Sequence, residues 1–258
     1  MSSIPIPLPV NGPREARISE LQAQLRARFP AAAPVLARPE TVLSTGVDAL
    51  DRLLPHGGLP RGQVTEWVAA RSGGSATLLR QLVWRTVQRE KVALVDAGRT
   101  LAAADWVEVA PAGSDALTFV RPSDPRDGPW CADLLLRTGL FALVVLDGAA
   151  PPRQAAQRFA HLARESSSAL LVVLPSDAGR RGGGAALASV RLQLTPTSPT
   201  LTGRNTTPPR TAPMTAALIK GGTPAQVEVP RETVPTHRLC AHPLVPDRRG
   251  GARRGRSW

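Results

Sequence analysis

Residues 44–79 read STGVDALDRLLPHGGLPRGQVTEWVAARSGGSATLL. Within this stretch Val64–Ala69 has the apolar, β-branched character of a short buried strand. A Ser/Gly-rich turn, Arg71–Ser75, follows it. Then Leu78, Leu79, Leu82, Val83 and Val87 recur at helical spacing and predict a helix over Ser75–Glu90. Strand, glycine turn and helix in that order form the context in which backbone N–H groups cradle a phosphate.

Working outward, the alternation continues. Lys91–Asp96 (KVALVD), Leu117–Val120, Phe141–Asp147 (FALVVLD) and Ala169–Leu174 (ALLVVL) predict strands. Leu101–Val109, Trp130–Thr138 and Gln154–Glu165 predict helices between them. Strands that are apolar on both faces and alternate with helices define an α/β protein. Its central sheet should be mostly parallel and twisted, with helices on both faces. Past Gly184 the alternation stops. Val190–Leu194, Thr215–Ile219 and Gln226–Val229 read as further strands around a Thr/Pro-rich stretch, Thr195–Pro213.

The ends differ from this middle. Residues 1–40 form an expected arm, with Pro5, Pro7, Pro9 and Pro13 first, then a helix over 14–29. That helix carries one apolar residue per turn, Ile18, Leu21, Leu25 and Phe29, and an Ala/Pro linker follows it. Residues 41–230 are the expected core. Residues 231–258 end in RRGGARRGRSW and are expected to be a disordered basic tail.

The 258 residues suffice for one large core, and 42% hydrophobic with 20% charged residues is a globular balance. The net charge of +12 comes almost wholly from arginine, since Lys91 and Lys220 are the only lysines. Two explanations stay open: GC-rich codon usage, or a polyanionic partner such as DNA. Cys131 and Cys240 cannot build a disulfide framework, and no His/Cys cluster suggests a metal. His56, His161, His237 and His242 are scattered, and no G-x-S-x-G supplies a nucleophile elbow. Cys131 reads as a helix-packing thiol, and Trp67, Trp84, Trp106 and Trp130 as core or core-edge residues. Met1–Val10 has no basic region before an apolar run, and the apolar runs Phe141–Leu146 and Ala169–Leu174 are too short to span a bilayer. The expected setting is the cytoplasm, near the nucleoid, with no membrane contact.

The lead-in TGVDALDRLL…GGLPRG, together with the strand order, resembles RecA-like ATPases. It is most similar to ImuA-type proteins, RecA-related bacterial accessory factors for mutagenic lesion bypass. The resemblance covers Ser44 to Gly222. It implies a RecA-like P-loop-type fold and a role in SOS-type damage tolerance. The implied partners are RecA, an inactive Y-family-type protein and an error-prone C-family polymerase. An N-terminal arm lets RecA relatives dock on a neighbouring subunit, so Ile18, Leu21, Leu25 and Phe29 are candidate partner contacts.

The phosphate loop departs from the chemistry that ATP hydrolysis needs. A working G-x-x-x-x-G-K-[ST] uses Lys to neutralise the β- and γ-phosphates and a hydroxyl to hold Mg²⁺. Aligned on the lead-in, Ala69 stands at the first Gly, Gly74 at the second, Ser75 at Lys and Ala76 at the hydroxyl. Shifting by one residue places Val68, Gly73, Gly74 and Ser75 there, which restores the hydroxyl but not the Lys. Arg71 and Ser72 lie inside the turn, and Arg71 could touch an anion only from a displaced position. The resemblance also calls for a Glu after the second core strand, where this chain has Gly98. Asp147 ends a Walker-B-like strand. The expectation is a fold without catalytic residues and without cofactor. A SulA-like regulator and an unorthodox ATPase using Arg71 are the rival readings.

By the same resemblance, the loops after the fourth and fifth core strands are the places for single-stranded DNA. Here they carry Arg153 and Arg158, then Arg180 and Arg181 followed by glycines. Neither loop holds an aromatic stacking residue, so weak, nonspecific DNA contact is the expectation.

Overall fold

The structure, a computed structural model, describes residues 6–7, 20, 42–69, 75–102, 106, 109–110, 115–176, 188–196 and 213–229. The apolar stripe of the expected arm, Arg71–Gly74, Arg180, Arg181 and the tail lie outside the described residues. Most of the helix expected over Leu101–Val109 also lies outside them, although Trp106 is helical.

A nine-stranded sheet organises the chain. In chain order its strands are β1 (Ile6–Pro7), β4 (Val64–Ala69), β5 (Val92–Asp96), β6 (Leu117–Val120), β7 (Leu143–Asp147), β8 (Ala169–Pro175), β9 (Val190–Pro196), β10 (Met214–Lys220) and β11 (Ala225–Val229). A separate pair, β2 (Val42–Leu43) and β3 (Leu59–Pro60), is antiparallel. The order across the large sheet is β1-β11-β10-β9-β4-β8-β7-β5-β6. From β9 to β6 every pairing is parallel, and from β9 to β1 every pairing is antiparallel. The mostly parallel α/β sheet expected from the sequence is what the chain forms.

Among the described residues, helices α1 (Asp48–Leu53), α2 (Ser75–Val87), α3 (Gly128–Arg137) and α4 (Ala156–Glu165) pack against this sheet. Successive strand residues point to opposite faces. Leu143 and Val145 of β7 join Leu78, Leu82 and Val83 of α2 in one core cluster, with Leu50 and Leu53 of α1. Val144 and Leu146 join Leu136 of α3 and Phe159 of α4 in the other. Helices therefore cover both faces, which is why FALVVLD and ALLVVL are apolar at consecutive positions.

The lead-in has its own local logic. Asp51, inside α1, accepts from Ser44 Oγ at 2.7 Å, Thr45 N at 2.8 Å and Thr45 Oγ1 at 2.7 Å. One carboxylate thus ties the chain before the helix to its second turn. Gly46 has φ +78°, and a Cβ there would lie 3.1 Å from Gln81 Nε2 of α2. The Asp and Gly of the TGVDALD motif are accounted for by this anchoring of α1 to α2.

Two expectations need correction. Trp67 and Trp106 are buried, but Trp84 and Trp130 are 39% and 63% exposed. Both exposed residues sit on the outer faces of helices whose inner faces are already filled by Leu82 and Val83, or by Ala132 and Leu136.

Candidate functional site

The C-terminal ends of parallel strands are where α/β sheets gather their ligand-facing loops. Here β4, β5 and β7 end at Ala69, Asp96 and Asp147. Ala69, the position of the first loop glycine, is buried and paired with Pro175 and Leu194. Ser75 and Ala76 open α2, so they stand at its N-terminus, where unpaired N–H groups carry the positive end of the helix dipole.

Asp96 and Asp147 are register partners on adjacent strands. Asp96 is fully buried and receives Arg121 Nε at 3.0 Å and Nη2 at 2.5 Å. Thr100 links the two acids. Its N donates to Asp96 Oδ1 at 3.0 Å, and its Oγ1 donates to Asp147 Oδ2 at 2.7 Å. Arg121 also donates to the Leu101 carbonyl, closing the turn after β5. Burial pushes the Asp147 carboxyl up to about 6; the Thr100 hydrogen bond opposes this and the Asp96 charge adds to it. With its carboxyl near 6, Asp147 is mostly ionised at pH 7 and mostly protonated at pH 5.

Gly98, at the place of the expected catalytic Glu, lies in close backbone contact with Gly148. Gly148 has φ +81°, and a Cβ on it would sit 2.4 Å from the Cα of Gly98. A Cβ on Gly98 would meet the Gly148 Cα at 3.0 Å and Asp147 Oδ2 at 3.7 Å. The two turns are locked together further by Gly98 N donating to the Asp147 carbonyl at 3.0 Å. A Glu at position 98 would have to push these two turns apart.

Beside the first turns of α2 lies a cleft of about 130 Å³, with Thr77, Arg80, Thr100 and Trp106 in its wall. Arg80 lays its guanidinium over the Trp106 ring, 5.7 Å from the centroid. Small-molecule pockets usually span about 300–1,000 Å³, so this cleft is small for a nucleoside triphosphate.

Of the DNA candidates, Arg153 opens a 3-10 turn and Arg158 lies in α4, where it donates to Asp133 of α3 at 2.7 Å. Thr100, Arg121 and Asp133 were not singled out by sequence. Each makes a contact across 25 or 47 residues, which no local spacing marks. No cluster of metal-ligating side chains occurs among the described residues. No helix among them is long and apolar enough to cross a membrane.

The fold is a mostly parallel α/β sheet with helices on both faces, and comparison with known proteins gives its kind. No protein-family model matches. RecA of Streptomyces venezuelae is 32% identical over 143 residues, 53% of this chain and 38% of that protein. The plasmid RecA of Lactococcus lactis is 32% identical over 109 residues, and Mycobacterium tuberculosis RecA is 33% identical over 114. The chain spans 38%, 32% and 14% of the lengths of these relatives. Among solved structures, the RadB recombinase superposes with a TM-score of 0.54 at 21% identity, covering 73% of this chain and 94% of that one. The chain has the fold of the RadB recombinase, and 53% of its length aligns with the Streptomyces venezuelae RecA sequence.

Proposed function

We propose that this is a non-catalytic RecA-like accessory protein of DNA damage tolerance, an ImuA-type factor in SOS mutagenesis and translesion synthesis. It acts by binding RecA and mutasome partners, with weak and sequence-independent DNA contact as a secondary property. The observation that carries the non-catalytic part is the Gly98–Gly148 contact, which occupies the place of the water-orienting Glu. Ser75 and Ala76 at the start of α2 support the same reading. The likeness to RecA supports the pathway, and the ImuA-type lead-in supports the partner set.

RecA binding is assigned to the stripe Ile18, Leu21, Leu25 and Phe29. Apolar anchors of this kind lose about 1–3 kcal/mol each on truncation. The double substitution Leu21→Ala, Leu25→Ala should abolish co-purification with RecA and leave the melting temperature of the core nearly unchanged. Retained RecA binding in that variant moves the partner surface elsewhere and sinks the assignment.

A further inference from the structure

Among the described residues, five large hydrophobic side chains are exposed, and three of them, Trp130, Leu134 and Leu140, belong to α3 or the turn after it. Trp130 and Leu134 are four residues apart, so they stand on one face of the helix. Arg137 continues that face one turn on. Opposite Trp130, α4 supplies Arg158 and Phe159, and between the helices lies a groove of about 180 Å³. That volume takes one large apolar side chain.

The charge at this groove is arranged. Asp133, nearly buried in the groove wall, accepts from Arg137 Nε at 2.8 Å and from Arg158 Nη2 at 2.7 Å. One carboxylate holds two guanidinium groups, leaving a net positive charge at fixed positions on the rim. Both side chains remain half exposed. The acids at the other end of α3, Asp124 and Asp127, lie in the turn before the helix, where Asp124 accepts from Arg126 N. The groove is therefore apolar in its floor, with two half-exposed guanidinium groups beside Asp133.

We propose that the groove between α3 and α4, walled by Trp130 and Arg158, docks an amphipathic helix of a partner protein. That helix presents one large apolar side chain, with an acidic residue one turn away facing Arg137 and Arg158. Trp and Arg around a desolvated pocket are the composition of interface hot spots, and a helix in a groove is a standard way to fill one. This surface is built from residues 129–159 of the described core, so it goes beyond the RecA contact proposed above.

The test uses the full chain and two fluorescein-labelled helical peptides with the same apolar face, one flanked by Glu and one by Lys. Anisotropy titration should show the Glu peptide binding at least tenfold more tightly than the Lys peptide. Trp130→Ala and Arg158→Glu should each weaken it at least tenfold, while Leu21→Ala with Leu25→Ala leaves it unchanged. Leu134→Glu, on an exposed position, serves as a second variant, and melting curves confirm that each variant is folded. Equal affinity for both peptides, or binding indifferent to Trp130→Ala, overturns the proposal. So does a labelled oligo-dT that binds in a Trp130-dependent way when neither peptide does, which would make the groove a nucleic-acid surface. Trp130-dependent self-association without peptide binding would overturn it equally, in favour of a second copy of this chain.

Discussion

Gly148 and Gly98 approach closely through their backbones, and the non-catalytic reading proposed above rests on that contact. Gly148→Ala would force a Cβ to within 2.4 Å of the Gly98 Cα at a positive φ. The combined strain should cost about 3 kcal/mol in denaturant unfolding. Gly98→Glu should also destabilise, and it should not confer ATP hydrolysis, because the side chain arrives where Gly148 already is. Asp147 has a different signature. Its carboxyl is raised from 3.8 in the unfolded chain to about 6 in the fold. The folded state therefore binds the proton more tightly, and this group's contribution is fully present below pH 4. It is lost as pH rises to about 6, a change of about 3 kcal/mol at most. Asp147→Asn keeps an acceptor for Thr100 and removes the titration, so its stability should fall less between pH 4 and pH 6 than that of the unmodified protein. Some dependence should remain, since burial also raises the Glu66 carboxyl against the pull of Arg191 and Lys220. Identical pH profiles by urea unfolding would contradict the role given to Asp147.

At the scale of elements, the strands were legible because both faces of the sheet are covered. FALVVLD and ALLVVL need no alternation when helices pack above and below, and a run of that kind has few other homes. The helix α1 was not legible: six residues are too few to show a period, and the Asp51 carboxylate holds it together with the buried Leu50 and Leu53. Asp51→Ala removes the acceptor of three hydrogen bonds and should cost about 1–3 kcal/mol, read as a lower denaturant midpoint, with Asp51→Asn restoring part of it. Trp130 was misread for a related reason. Helix α3 carries apolar residues on two faces, and sequence cannot say which pair, Trp130 with Leu134 or Ala132 with Leu136, the sheet takes. The network of Asp96, Thr100 and Arg121 was equally hidden, since it forms only when the turn after β5 meets the end of β6.

On the scale of the whole molecule, the chain has the architecture of the RadB recombinase fold, and the proposed lack of ATP hydrolysis rests on three positions. Ser75 stands for the loop lysine, Ala76 for the magnesium hydroxyl and Gly98 for the catalytic carboxylate. These departures were readable from sequence once the strand–turn–helix context had placed them. The structure adds why the third is hard to reverse. The most direct measurement is a titration of the full chain with ATP in the presence and absence of Mg²⁺, paired with a phosphate-release assay. The account predicts no hydrolysis and no tight binding, and an Asp147→Ala variant that behaves as the unmodified protein does. A magnesium-dependent affinity in the micromolar range, lost in Asp147→Ala, would contradict it.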